Sequence, residues 1–246
     1  MTRFLIALQF LSRIHLAKQT VWTNEAFGGS LCYFPLVGTV IGAILCLLWW
    51  LFSFAFSGLY LAVCIVAAWF LLTGGLHADG FMDTADGLFS GRSRERMLEI
   101  LKDSRVGANG VMAFFLLAIL KICFLANVNG PLAYVVLLGV PAAARYGTLI
   151  SVLEFPYARE EGLGKAFALY APAHTLFWGF LAALVPVLAG TWYYLILLGA
   201  AMLTSLAANT YITRHLGGVT GDTYGAVTEL TELVLLGMSA SLHGIL

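Results

Sequence analysis

Charge is what this chain has least of. Only 11% of its 246 residues carry a charged side chain and 61% are hydrophobic, against ~25% and ~45–50% in soluble domains, which excludes an ordinary soluble domain. Thirteen Lys and Arg balance thirteen Asp and Glu, so no net field exists to draw nucleic acid or to hold a disordered chain open. Cysteine is scarce as well: Cys32, Cys46, Cys64 and Cys123 lie inside apolar runs without CxxC spacing, which argues for buried small hydrophobes and against a disulfide or zinc framework. The N-terminal stretch lacks a small-x-small cleavage site and is interrupted by Arg13. Residues 1–20 therefore read as a retained interfacial or re-entrant helix and not as a signal peptide.

What the chain has in abundance is apolar length. Runs over 31–56, 59–75, 110–128, 132–152, 174–191, 192–212 and 223–243 each approach the ~20 residues a spanning helix needs. The pattern predicts an all-α, polytopic helical membrane protein of about seven spans (six to eight), a single integral membrane domain over 1–246. Ser57-Gly58 and the turn from Asn127 to Pro131 read as tight helical hairpins, and Trp49, Trp50, Trp178 and Trp192 as interfacial anchors. Orientation follows from where Lys and Arg are missing. Arg3, Arg13, Lys18, Arg92, Arg94, Arg96, Lys102, Arg105, Arg159, Lys165 and Arg214 all fall in loops on one side, whereas the loops near 57, 129 and 190 carry none. Cytoplasmic loops hold the excess, so the N-terminus and every polar loop face the cytoplasm.

Four of the five aspartates lie in one cytoplasmic segment, 76–109, GGLHADGFMDTADGLFSGRSRERMLEILKDSRVGANG with its leading glycines. Asp79, Asp83 and Asp86 at i, i+4, i+7 put three carboxylates on one helical face. They repel unless a divalent cation joins them, and oxygen ligands with room for substrate phosphates suit magnesium. Gly80, Gly87 and Gly91 in the same stretch cost a plain solvated helix ~1 kcal/mol each. His77, just ahead, reads as a base or as a cap. Ser93 is a cap for a short amphipathic helix whose Met97, Leu98, Ile100 and Leu101 form a stripe suited to the bilayer surface. Arg92 and Arg105 suit a diphosphate, since a guanidinium fork matches phosphate oxygens in pairs; Arg94 and Arg96 suit lipid headgroups equally well.

A second polar patch runs from Arg214 to Glu232, RHLGGVTGDTYGAVTELTE. Gly217, Gly218 and Gly221 allow close approach and Asp222 is a cap for the helix that follows. Glu229 and Glu232 lie inside the last apolar run, where a carboxylate is costly without a partner. A metal, a substrate, or Lys121 and Arg145 inside their own spans are the options, so a structural ion pair stays open. His174, His215 and His243 have no metal-ligand spacing and read as structural.

The run DGFMDTADGLFSGRSRERMLEILKDSRVGANG, with YFPLVG at Tyr33 to Gly38 and GGVTGDTYGAVTELTE, resembles the cobalamin synthase family, the adenosylcobinamide-GDP ribazoletransferases, over nearly the whole chain. The resemblance implies a magnesium-dependent enzyme of the cell inner membrane with adenosylcobinamide-GDP and α-ribazole, or its 5′-phosphate, as substrates and GMP as leaving group. Phosphoryl chemistry of this kind is positioning plus charge stabilisation. With it, His77, Asp79, Asp83, Asp86, Lys102 and Asp103 are the catalytic candidates. Arg92, Arg105, Arg214, Asp222, Glu229 and Glu232 are the substrate-binding ones, and Asp79, Asp83 and Asp86 the metal ligands. The expected partners are the lipid bilayer, a second copy or other enzymes of nucleotide-loop assembly, and no nucleic acid. Asp83-x-x-Asp86-Gly87 also resembles the opening of the CDP-alcohol phosphotransferase motif, but Ser90-Gly91 stands where that family has Ala-Arg and its later aspartates are absent. A transporter would explain the charges inside spans, yet there is no internal repeat and no polar outer face.

Overall fold

The computed structural model describes residues 2–16, 23–189 and 192–241. The helices run in the order α1 (Thr2–Leu11), α2 (Asn24–Gly28), α3 (Phe34–Phe52), α4 (Gly58–Thr73), α5 (Leu76–Leu88), α6 (Arg94–Ile100), α7 (Ala108–Ala126), α8 (Gly130–Glu154), α9 (Leu163–Leu169), α10 (Thr175–Ala183), α11 (Tyr193–Leu216) and α12 (Gly221–Ser241). Among the described residues there is no strand, only an isolated parallel bridge between Tyr157 and Val219.

α8 is the central column: every residue from Gly139 to Val152 is buried. α3, α11 and α12 pack around it. α3 comes closest because Gly38 and Gly42, four residues apart, face the α8 backbone, and a Cβ on Gly42 would stand 2.6 Å from the Leu137 carbonyl oxygen. Small residues at helical spacing let two backbones approach where apolar burial offers little drive. The outer surface is apolar instead, with Leu47, Leu51, Leu71, Phe115, Leu116 and Leu203 all more than half exposed.

Asn24–Phe52, Ala108–Ala126, Gly130–Glu154 and Tyr193–Leu216 are long and apolar enough to cross a bilayer, and α4 with α5 is a bent pair that passes only if taken as one span. The chain is an all-α polytopic membrane protein. Among the described residues four helices meet that length and composition, or up to five with the bent pair, where hydropathy predicts about seven spans (six to eight). Each of the seven apolar runs is helical, but α4 has 16 residues, α10 gives way to a 3-10 turn at Val185–Ala189, and α12 carries two glutamates and a row of threonines on a face turned inward. Two further expectations need correction. Trp49 is buried in the core and not an interfacial anchor, unlike the exposed Trp50, Trp178 and Trp192; Cys123 is exposed where a buried thiol was expected, the other three cysteines being half-buried. The N-terminal helix spans Thr2–Leu11 and packs on α3 through Ala7, Leu8 and Leu11; Lys18 and His243 lie outside the described residues.

Between α7, α8 and α12 lies a fully buried ionic cluster. Lys121 of α7 pairs with Glu229 and, at 2.6 Å, with Glu232 of α12; Arg145 of α8 reaches the other Glu232 oxygen at 3.1 Å and the Pro141 carbonyl at 2.9 Å. Lys121 also stands over the Trp69 ring, 5.0 Å from its centroid. Two cations and two carboxylates cancel, so the set is neutral where an unpaired member would be costly. Glu229 and Glu232 are thus held by Lys121 and Arg145, and the substrate-binding role foreseen for them is not what the geometry gives. Lys121→Met should cost about 3–5 kcal/mol, read as lost thermal stability in detergent, and Lys121→Met with Glu229→Gln should recover part of it. Equal melting temperatures for the wild type and Lys121→Met would refute the pairing.

Candidate active site

After α4 the chain turns through Gly74 and Gly75, both left-handed (φ 64° and 73°), and α5 leaves at 91° to α4. Two consecutive left-handed residues suit glycine alone, and they set α5 outside the spanning helices, across α12 and the start of α7. The crossing with α12 is backbone on backbone: a Cβ on Gly80 would lie 2.5 Å from the Asp222 carbonyl oxygen, and one on Gly225 2.8 Å from that of His77. The two acidic patches, far apart in sequence, are brought together by the absence of side chains between them.

The three aspartates of α5 then divide. Asp86 is buried and accepts hydrogen bonds from the backbone N–H of Gly107 at 2.7 Å and of Gly110 at 2.8 Å. It tethers the first turn of α7, where unpaired amides and the helix dipole favour a carboxylate. The expectation of Asp86 as a metal ligand and catalytic group is corrected accordingly: both its oxygens are engaged with backbone. Asp79 is exposed and Asp83 half-buried on the open face. Among the described residues no three metal-ligating side chains form a ready-made cage. Partial burial first, then the Asp79, Asp222 and Asp86 carboxylates, pushes Asp83 up to about 6, against the opposing pull of Arg159.

Asp222 is not the cap of α12. Thr220 and Thr223 cap each other, Thr223 Oγ1 accepting from the Thr220 N–H at 2.7 Å and Thr220 Oγ1 from the Thr223 N–H at 3.3 Å. Asp222 is therefore free to accept from Arg159 Nη2 at 2.7 Å. Arg159, overlooked as a site residue from sequence, is placed by the Tyr157–Val219 bridge, in which Ala158 N–H donates to Val219 O and Val219 N–H to Pro156 O, each at 2.8 Å. That pairing also pins the glycine-rich loop that sequence reads as flexible. The only sequence sign was an arginine after Pro156 in an otherwise acidic loop.

A cavity of about 300 Å³ opens between α5, α12 and the segment after α8, lined by His77, Asp79, Arg159, Asp222, Tyr157 and Tyr224, with Phe10, Phe34 and Phe167 at its apolar side. His77 is buried, and burial, then Arg145 and Lys121, holds it well below its ordinary range, so the imidazole is neutral. A second, more open cavity of about 560 Å³ shares Asp79 and Phe10 and adds Gln9, Arg13 and His15. Asp79 stands on the wall between them.

The remaining candidates do not join these cavities. Arg105 is bound to Asp103 at 2.6 Å on the surface, and that hydrogen bonding holds Asp103 at about 2. Arg92 and Arg214 are exposed, and Lys102 lines a neighbouring shallow depression with Glu95, Glu99 and Glu160, which shares Arg159 with the cavity of about 300 Å³. The roles foreseen for these five side chains came from the match of a guanidinium fork to phosphate and from the family resemblance. α6 turns Met97 and Leu101 inward against Gly87, so that stripe packs on protein and not on the bilayer. Ser93 occupies the N-cap without a side-chain bond, and Arg94 packs on Gly217 at the end of α11 in place of a headgroup.

Right-angled helices presenting carboxylates, a guanidinium and a neutral imidazole to a cavity beside a membrane bundle define a membrane-embedded enzyme with an acidic cleft. The chain belongs to the cobalamin-5-phosphate synthase family, whose model matches residues 3–240, and it is an enzyme of cobalamin biosynthesis. It is 40% identical to the adenosylcobinamide-GDP ribazoletransferase of Acetivibrio thermocellus, covering 95% of each chain, and 40% identical to that of Desulfitobacterium hafniense, covering 96% of this chain and 95% of the other. The protein of that name in Clostridium acetobutylicum is 37% identical over 95% of this chain and 94% of its own. No solved structure matches the chain significantly.

The crowding at Asp83 has a measurable sign. Its proton is held more tightly folded than unfolded, so the metal-free protein loses stability as pH rises from 3.8 to about 6 and carries the full penalty above that. Asp83→Asn should raise the melting temperature at about pH 7 by a few degrees, at roughly 2–4 °C per kcal/mol and after discounting for solvent exposure, and should change nothing near pH 4. Asp86→Asn should do the opposite near neutral pH, costing ~1–3 kcal/mol through an unsatisfied amide. A lower melting temperature for Asp83→Asn at neutral pH would overturn the crowding.

Proposed function

We propose that the chain joins α-ribazole, or its 5′-phosphate, to adenosylcobinamide-GDP and releases GMP, on the cytoplasmic face of the cell inner membrane. The observation that carries this reading is the meeting of Asp79, Asp222, Arg159 and His77 around one cleft, with Asp83 close enough to feel the charge of Asp79, Asp222 and Arg159, in a chain whose relatives bear that reaction's name. A ribose hydroxyl of the acceptor attacks the phosphorus attached to cobinamide; the new P–O bond forms as the bond to GMP breaks, and GMP departs with the electron pair. His77, neutral and with Nδ1 unpartnered, takes the hydroxyl proton. Arg159 turns from Asp222 to the phosphoryl oxygens, where a guanidinium fork binds two at a time. Arg13, in the open cavity, meets the rest of the diphosphate.

The carboxylate set fits magnesium. Asp83's raised proton affinity reflects partial burial and then the neighbouring carboxylates, whose repulsion a cation relieves, and magnesium needs only one or two protein carboxylates besides substrate phosphates. Asp79 and Asp83 would hold it, with Asp222 alongside and Asp86 excluded by its amides. When bound, the ion neutralises charge on the diphosphate and its leaving group.

Purified protein in detergent with magnesium and both substrates should release GMP, and a chelator should abolish release. Asp79→Asn and Asp83→Asn should each lower turnover by ~100-fold or more, whereas Asp86→Asn should lose stability before chemistry. The absence of GMP release by well-folded wild type would sink the reading. For orientation, Ser93→Cys in a cysteine-free background should react with an impermeant thiol reagent only after the membrane is opened; labelling of intact cells would reverse the assigned side.

A further inference from the structure

The enclosed 300 Å³ cavity has two chemically distinct ends. One is a wall of rings: Phe167 lies 5.2 Å from Phe10 and 5.7 Å from Phe34, centroid to centroid, with Phe27 behind at 5.6 Å. Phe10, Phe34 and Phe167, tilted and edge to face, offer an apolar surface and no hydrogen-bonding group. The other end is lined by Tyr224, His77 and Arg159, each with a polar atom that lies just under the cavity wall, out of a water molecule's reach, and has no partner. Tyr224 Oη and His77 Nδ1 make no hydrogen bond although their residues are only 7% and 4% exposed, and Arg159 Nε is unpartnered too. Buried polar atoms are nearly always paired, and each exception requires an account. Here the account is a ligand with polar groups at one end and a flat apolar body at the other.

Size narrows the choice. A cavity of about 300 Å³ is at the low end for a ligand site. It suits a nucleoside and is too small for a corrinoid ring bearing a nucleotide, whose diphosphate end the more open 560 Å³ cavity beyond Asp79 can receive. Two planar bases take part in the proposed reaction, the acceptor's and the guanine of the donor. Guanine presents donors and acceptors along its edge, and a phenylalanine wall would bury them unpaired at a cost. A benzimidazole-type base has no such edge.

We infer that this cavity seats the acceptor nucleoside, its heteroaromatic base against Phe10, Phe34 and Phe167 and its ribose hydroxyls toward Tyr224 and His77. The inference rests on the proposed reaction for the identity of the acceptor. It makes Tyr224 a binding residue and Phe167 a determinant of base selectivity. It also separates the substrates: acceptor in the closed cavity, donor in the open one, meeting at Asp79.

The test uses the full-length protein in detergent and two readouts, equilibrium binding of α-ribazole alone and steady-state KM for each substrate. Tyr224→Phe keeps the ring and removes one hydroxyl; it should raise both the Kd and the KM for α-ribazole by ~3–10-fold and leave the KM for adenosylcobinamide-GDP unchanged. Phe167→Leu should change the ratio of KM values between α-ribosides of benzimidazole and of its dimethylated form by ~10-fold or more. Melting temperatures within a few degrees of wild type keep both readings interpretable, and Phe34→Leu serves in place of Phe167→Leu if that variant does not fold. Variants that shift the donor's KM and spare the acceptor's would put guanine in the cavity and overturn the inference, as would no effect on either. Wild type that binds α-ribazole with Tyr224-dependent affinity yet releases no GMP would uphold the seat and reject the reaction.

Discussion

Everything at the site depends on which way α12 is rotated, and the buried quartet of Lys121, Arg145, Glu229 and Glu232 fixes that rotation. Glu229 and Glu232 are one turn apart, so a helix that pairs both with Lys121 has a single azimuth. At that azimuth Gly225, one turn nearer the start of α12 than Glu229, meets the backbone of α5, and Asp222, one turn further, faces Arg159. Apolar packing alone would not choose between rotations this sharply in a bilayer, where every face can be apolar. A misplaced charge is expensive there, which makes the quartet a register device at the expense of stability that a hydrophobic set would match.

The second requirement is closeness. α5 carries glycine where it crosses α12, and α12 carries glycine in return, so carboxylates from both lie around one cavity without a loop having to bring them there. Asp86 then ties the far end of α5 to the start of α7 through two backbone amides. An aspartate whose oxygens are both committed to amides locates its helix, and it is the reason Asp79 and Asp83 are presented and not averaged over many positions.

Much of this was legible. Each apolar run is a helix, and the hairpin signals at Ser57-Gly58 and before Pro131 mark real helix starts. The i, i+4, i+7 aspartates do share a helix, and the ion pairing of Glu229 and Glu232 with Lys121 and Arg145 was among the options that burial cost raised. The count of spans misled because hydropathy sees composition and not the break at Ala183 or the inward face of α12. Spacing could not tell Asp83 from Asp86, since a carboxylate facing an ion and one facing two amides look alike in sequence. Arg159 was out of reach for another reason: its position comes from a bridge between Tyr157 and Val219, separated by α9, α10 and α11, and no local pattern encodes that pairing. Arg92, Arg105 and Arg214 are neighbours of the aspartates in sequence but lie at the surface and line neither cavity.

The carboxylate partners of Lys121 and Arg145 both come from α12, which follows them in the chain. Until α12 has entered the membrane, two cations stand uncompensated within the bundle, and Asp222, Tyr224 and the Val219 half of the bridge do not yet exist. The unfinished chain therefore has neither a cleft nor a settled interior, and what marks it as unfinished is exposed charge at membrane depth. Insertion of α12 pairs those charges and completes the lining of the cavity in one event.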